Sequence, residues 1–227
     1  METVVGVAVG LVLLVVVVCA VWRWAAWPCP SWMVPLLENP YFQTVAGAEL
    51  LLDRAGVGPG MTVLDAGCGP GRVTLPAATR VGPSGRVVGV DVQRGMLDRL
   101  QRRLDARSVA NVELVHAGLG SGALDTDRFD VALMITVLGE IPEPRVAVEE
   151  LYRALRPGGV LSVTEVLPDP HYQTVDRVRT LAAAAGFEVG SLYRGRVAFT
   201  QNLVKPGEEQ TRRERERERE RDRDVGR

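Results

Sequence analysis

The pattern of apolar and polar positions divides the chain into regions of different period. From Thr3 to Trp22 no residue carries a charge and valine and leucine dominate, the length a helix needs to cross ~30 Å of hydrocarbon. Trp22, Trp24 and Trp27 stand around Arg23, a mixture of rings and cation suited to the headgroup level. The stretch 3–25 therefore reads as one transmembrane helix. A cleaved signal peptide would begin with a basic region, where this chain has Met1 and Glu2, and would have a shorter apolar core. Arg23 outweighing Glu2 gives a weak positive-inside signal, so the expectation is a single-pass membrane protein with the bulk of the chain in the cytoplasm.

Pro28, Pro30, Pro35 and Pro40 interrupt the following stretch, which makes 26–40 a linker. A helical pattern then runs over 41–54 through Ala46, Leu50, Leu51 and Leu52, until Gly56, Gly58 and Gly60 stop it. Beyond it, short β-rich runs alternate with longer amphipathic ones, the signature of βαβ units around a parallel sheet. The pattern predicts strands over 62–65, 86–91, 112–116, 129–136 and 160–166. It predicts helices over 72–80, 94–107, 145–155 and 174–185. Two further strands, 187–193 and 196–204, are joined by a short Arg-Gly connection and should pair as an antiparallel hairpin. The fold class is α/β: a doubly wound, mostly parallel seven-stranded sheet with a C-terminal antiparallel hairpin, preceded by one transmembrane helix. The domain is expected to span 41–206.

The end of the chain, 207–227, is different again. From Thr211 onward arginine alternates with glutamate or aspartate, so a helix would set like charges four apart and unlike charges three apart, and the contributions largely cancel. With almost nothing apolar to bury, this tail is expected to stay disordered.

Composition narrows the function. Lysine plus arginine number 27 and aspartate plus glutamate 28, for a net charge of −1, which offers no basic excess to track a phosphate backbone; no nucleic acid is implied. The three cysteines, Cys19, Cys29 and Cys68, are scattered and match no zinc spacing, so neither a disulfide framework nor a metal site is expected.

The chemistry concentrates in one loop. Val63-Leu64-Asp65-Ala66-Gly67-Cys68-Gly69-Pro70-Gly71-Arg72 places glycines between the first strand and the next helix, where backbone can approach a ligand lying over the strand end. Nicotinamide and flavin enzymes also put glycines at that junction to receive a pyrophosphate. Here, however, Asp65 at the strand end would repel a diphosphate and suit the ammonium of an amino acid. A second acidic strand end follows at Asp91, about 20 residues on, from which a carboxylate reaches ribose hydroxyls; on its own Asp91 does not separate the two ligand classes.

These motifs, together with Met96 after Asp91, the Phe129-Asp130-Val131-Ala132 strand start and Leu155-Arg156-Pro157-Gly158-Gly159, resemble those of class I S-adenosylmethionine-dependent methyltransferases over roughly 38–206. The resemblance implies S-adenosylmethionine as cofactor. It implies that Asp65, Gly67, Cys68, Gly69 and Gly71 hold the methionine part, Asp91 the ribose, and Val92 and Met96 the adenine face, with Gly118, Leu119 and Thr136 completing the cofactor site. Met96 also fits ordinary helix core. In one respect the chain departs from the family: where an acid commonly follows glycine after the third strand, this chain has Gly118-Leu119. Leucine accepts no bond from the adenine amino group, so backbone groups near Gly118 and Leu119, or water, would have to do so.

Methyl transfer is an in-line displacement, which leaves the protein to align the acceptor, exclude water and remove a proton where the acceptor carries one. Groups for this should come from the carboxyl ends of the fourth and fifth strands. Glu140, His171 and Tyr172 are the candidates, with Glu165 behind them as an orienting carboxylate; His171 leads because an imidazole titrates near neutrality. Each has a plain alternative as a turn or helix-cap residue, and His116 reads as a satisfied core histidine. The expected function is methylation of a small or lipid-like acceptor at the membrane surface. The competing readings are a membrane-tethered scaffold with a decayed cofactor pocket and a nicotinamide oxidoreductase.

Overall fold

The computed structural model describes residues 40–207; the expected membrane helix, most of the linker and nearly all of the charged tail lie outside the described residues. Among those described, no helix is long and apolar enough to cross a membrane.

The chain enters through α1 (Pro40–Ala46) and α2 (Ala48–Ala55). The single helix expected over 41–54 is thus two, because Gly47 takes an extended conformation at φ −62°, ψ 144° and starts α2 afresh. Gly56 ends α2 in the left-handed region at φ 73°, where its N–H caps the carbonyls of Leu52 and Asp53. The sheet follows: β1 (Thr62–Ala66), α3 (Thr74–Val81), β2 (Arg86–Asp91), α4 (Arg94–Asp105), β3 (Val112–His116) and β4 (Phe129–Ile135). A 3-10 turn (Leu138–Glu140), α5 (Pro144–Ala154), β5 (Leu155–Val166), α6 (Val175–Ala185), β6 (Glu188–Arg194) and β7 (Ala198–Val204) complete it.

The seven strands lie in the order β3-β2-β1-β4-β5-β7-β6. The first five are parallel, β7 inserts antiparallel beside β5, and β6 pairs antiparallel with β7 at the edge. The hairpin expectation therefore holds. The strand expected over 160–166 begins five residues earlier, since Leu155 pairs with Phe129 before an irregularity that readmits Val160 opposite Val131. Sequence pattern missed this because Arg156, Pro157 and Gly158 are exposed and carry no alternation.

Two apolar layers cover the sheet. One joins Leu64, Val88, Ala132, Met134, Leu161 and Val163 to α5 and α6 through Val148, Leu151, Val178 and Ala182. The other joins Val63, Val87, Val131 and Leu133 to α2 and α3 through Leu51, Leu52, Ala77 and Val81. Alternation along each strand sends successive side chains to opposite layers, so the polar residues at the strand ends are what remains for a ligand. At the opposite end, Asp130 accepts from the Thr62 N–H at 2.7 Å and pairs with Arg156, tying β1, β4 and β5 together. The acid of the Phe129-Asp130 motif is structural here.

Candidate functional site

The crest between β1 and β2, next to the point where the order of strands reverses, gathers the two carboxylates singled out above. Asp65 is 3% exposed, with Oδ2 accepting from the Thr74 hydroxyl at 2.6 Å. Burial raises its pKa from 3.8 to about 6; the Thr74 hydrogen bond and Arg72 oppose the rise and Asp91 adds to it. Asp91 accepts from the Gly69 N–H at 2.9 Å through Oδ2 and from the Gln93 N–H at 2.7 Å through Oδ1. Burial raises its pKa too, against those two amides and His116. Asp91 thus also works as a strand-end cap. Each of its oxygens has a second lone pair beyond the amide it accepts from, so the cap leaves capacity for a diol.

Cys68 lies between them, and burial pushes its thiol up, with Asp65 and Asp91 adding to the push. It is a packed apolar residue here, touching the β2 glycine: a Cβ at Gly89 would stand 3.1 Å from Cys68 Sγ.

The loop glycines divide by what surrounds them. All three have positive φ, at 78°, 51° and 90° for Gly67, Gly69 and Gly71. A Cβ on Gly67 would fall 2.4 Å from Val137 Cγ2, and one on Gly71 would fall 2.3 Å from Leu100 Cδ1. Those two are glycine so that the loop can lie against the β4 end and α4. Gly69 meets nothing within 4 Å, and neither does Gly118 across the crest. A side chain at either would project into open space, Gly69 in the loop whose N–H holds Asp91 and Gly118 two residues past His116, which is in register with Asp91. Val92, the residue after Asp91, is 56% exposed, whereas Met96 is 2% exposed and shares the core face of α4 with Leu97, Leu100 and Leu104. His116 overturns the expectation of a core histidine: it is exposed, with Nε2 3.0 Å from the Val92 carbonyl oxygen, because β3 is an edge strand of the sheet and His116 is its last residue, in register with Asp91.

The acceptor-side candidates also converge. The strand expected to reach 136 stops at Ile135, and Thr136 turns into the left-handed region at φ 54° while its N–H donates to the Thr164 carbonyl at 2.8 Å. For a β-branched residue that conformation is strained, and such strain collects at functional sites. The turn holding Glu140 then meets the loop after β5: a Cβ on Gly139 would overlap the His171 carbonyl oxygen at 1.9 Å. Gln173 Nε2 donates to that same carbonyl at 2.8 Å, and the Gln173 N–H donates to Glu165 Oε2 at 3.2 Å. His171 is 4% exposed and its N–H donates to Asp169 Oδ1 at 2.7 Å, while Tyr172 is half-buried and meets Phe199 edge-on at 5.9 Å. Neither loop serves as the helix cap it resembled. Thr174 caps α6 by accepting from Arg177, and α5 starts at Pro144, beyond Glu140.

Glu165 is the residue whose importance the sequence understated. It is 1% exposed, its Oε1 has no hydrogen-bond partner, and burial lifts its pKa from 4.5 to about 8, with the Gln173 amide opposing and Asp169 and Glu140 adding. At neutral pH it is largely a neutral carboxylic acid. The signal available in the sequence was a single acid inside an otherwise apolar and hydroxylic strand. Among the described residues no group of His, Cys, Asp and Glu could hold a metal ion.

Residues 63–159 match the model of a methyltransferase domain. Among curated relatives the chain is 30% identical over 152 residues to an arsenite methyltransferase of Halobacterium salinarum, covering 59% of this chain and 39% of that protein. It is 32% identical over 111 residues to a demethylmenaquinone methyltransferase of a Geobacillus species, covering 49% and 47%. The chain spans less than half the length of these relatives. A solved structure of a SAM-dependent methyltransferase from Aquifex aeolicus shares the fold, with TM-score 0.73 and 24% identity over 78% of this chain and all of that one. The methyltransferase-domain match includes Asp65, the loop glycines, Asp91 and Glu140, and stops short of Glu165, His171 and Tyr172.

Proposed function

We propose that this protein is an S-adenosylmethionine-dependent methyltransferase acting on a small or lipid-like acceptor at a membrane surface. The single observation that carries the reading is the pair of buried carboxylates, Asp65 and Asp91, gathered at the ends of neighbouring strands and held by the Thr74 hydroxyl and by the main-chain amides of Gly69 and Gln93. A diphosphate there would face two acids. A cationic amino-acid nucleoside would join Arg72 in favouring the charged form of Asp65 against the effect of burial.

S-adenosylmethionine, when bound, supplies an electrophilic methyl group on a sulfonium. Asp65 and the N–H groups of the Gly67–Gly71 loop would hold its amino-acid end, Asp91 its ribose diol, and exposed Val92 its adenine face, with Cys68 and Met96 as packing beneath. Thr136 would stand where the two halves of the site meet. The converged loops after β4 and β5 would receive the acceptor. His171 and Tyr172, with Glu140, would orient it and take up a proton if it carries one, over a floor in which Glu165 is 1% exposed.

The membrane part of the proposal rests on the uncharged run 3–22 and on the seating of α1: the Tyr41 hydroxyl donates to the Leu167 carbonyl at 2.5 Å, at the acceptor end of β5. Chain arriving from the apolar run would thus reach the domain at its acceptor end, with the domain on the cytoplasmic face. The relatives named for arsenite and demethylmenaquinone lend support to a small acceptor, the second to an apolar one.

Calorimetric titration of the full chain in detergent with S-adenosylmethionine, and with NAD as control, tests the cofactor. Saturable binding of the former alone, abolished in Asp65→Ala, is expected. No heat at millimolar S-adenosylmethionine would sink the enzyme reading and leave a tethered scaffold.

A further inference from the structure

The loop after β3 lacks the acid that would read an adenine amino group, yet a buried carboxylate of α5 holds two of its amides. Glu150 of α5 is 2% exposed and accepts from two main-chain amides of this loop: Gly120 N–H through Oε2, and Leu124 N–H through Oε1 at 3.3 Å. Gly120, at φ 93°, lies flush on the start of α5, where a Cβ would stand 3.3 Å from the Ala147 nitrogen. At the loop's beginning the Ala117 N–H donates to the Asp91 carbonyl at 3.2 Å, and a turn follows from Ser121 N–H to the Gly118 carbonyl at 3.3 Å. Leu119 and Leu124 pack against the core layer of α5 and α6. The leucine that stands where the family commonly has an acid therefore points its bulk to the core, while Gly118, one residue past the amide that donates to Asp91, has nothing within 4 Å of its missing Cβ.

We infer that Glu150 is a positioning residue of the cofactor site: by clamping Gly120 and Leu124 it fixes the main chain of Gly118 and Leu119 as the surface that reads the nucleobase. This rests on the proposed cofactor. A carboxylate in this place is otherwise hard to explain. Burying it is costly, and a helix–loop contact could be made by apolar side chains alone; a carboxylate can accept two diverging N–H groups at once and so fixes the direction of the backbone, not merely its proximity. Side-chain recognition has been exchanged for backbone recognition held in place from behind.

The test uses the full chain and two ligands, S-adenosylhomocysteine and its inosine analogue, in which oxygen replaces the adenine amino group. Wild-type protein should prefer the adenine form. Glu150→Ala should weaken S-adenosylhomocysteine binding about tenfold or more, as expected for losing charge-assisted bonds to two amides, and should largely erase the preference. Glu150→Gln, which keeps the shape and one of the two bonds, should fall between them and carries the test if Glu150→Ala does not fold. Hydrogen exchange over 117–124 should quicken in both variants. A variant that melts earlier but, while still folded, binds both ligands like wild type overturns the inference and makes Glu150 a stabilising contact only. Wild-type protein that binds neither ligand overturns the cofactor assignment, and the inference with it.

Discussion

Acidification from about pH 7.5 to about pH 5 should release the cofactor through one carboxyl group. Asp65 titrates near pH 6 in the ligand-free protein because burial disfavours its charge. A bound ammonium favours that charge and draws the pKa down. Below pH 6 each binding event must therefore first strip a proton from Asp65, and affinity should fall tenfold, or about 1.4 kcal/mol, for each further pH unit. Relative to the plateau above pH 7, the dissociation constant at pH 5 should be roughly tenfold higher. Calorimetry of S-adenosylmethionine binding in buffers of different ionisation enthalpy would read both the constant and the proton released. In Asp65→Asn, binding should be weak throughout and its pH dependence flat. The reasoning is refuted if wild-type affinity is constant between pH 5 and pH 7.5, or if the slope survives in Asp65→Asn. The same shift has a consequence for folding. The folded pKa is above the unfolded value of 3.8, so the ionised carboxylate is a liability that grows as pH rises from about 4 to 6, by up to about 3 kcal/mol without ligand.

Glu165 obeys the same sign with a different window. Its folded pKa of about 8 lies above 4.5, so ionisation destabilises the fold increasingly between those values, and Glu165→Gln should gain stability over wild type as pH rises to 8 and hold the gain above it. About 5 kcal/mol is the upper bound, to be read from urea unfolding at pH 5, 7 and 9. Gly71→Ala should cost about 2–3 kcal/mol, from the collision with Leu100 and the left-handed backbone, and lower the melting temperature. Gly69→Ala, equally left-handed but with nothing within 4 Å, should cost only about 1 kcal/mol in melting while weakening cofactor binding more than tenfold. Gly139→Ala should drive the turn after β4 away from the His171 carbonyl, cutting turnover with a model acceptor at least tenfold while cofactor affinity, measured by calorimetry, changes little.

Local patterning carried most of the architecture. Apolar period and glycine punctuation placed every strand of the sheet, because a parallel strand covered on both faces is a short apolar run whatever surrounds it. The hairpin of β6 and β7 could be read from one short connection. Patterning failed where tertiary contacts override it: the Gly47 break in the first helix, and the early start of β5 through Arg156, Pro157 and Gly158, which exists only because Phe129 is there to pair with Leu155.

For the site, the sequence by itself determined which groups are available. The carboxylate at the end of β1 disfavours a diphosphate by charge before any fold is known, whereas the one at the end of β2 does not separate the two ligand classes. What only the tertiary structure decided is what each group can do, since pKa, strain and positioning depend on neighbours distant in the chain. Burial moves the titration of Asp65 up to about pH 6, Glu165 becomes a neutral acid through burial, Asp169 and Glu140, and Leu119 turns toward the core as Glu150, 30 residues from Gly120, holds the backbone in its place. Desolvation and long-range hydrogen bonds are properties of packed space, and a one-dimensional pattern holds the ingredients for them but not their arrangement.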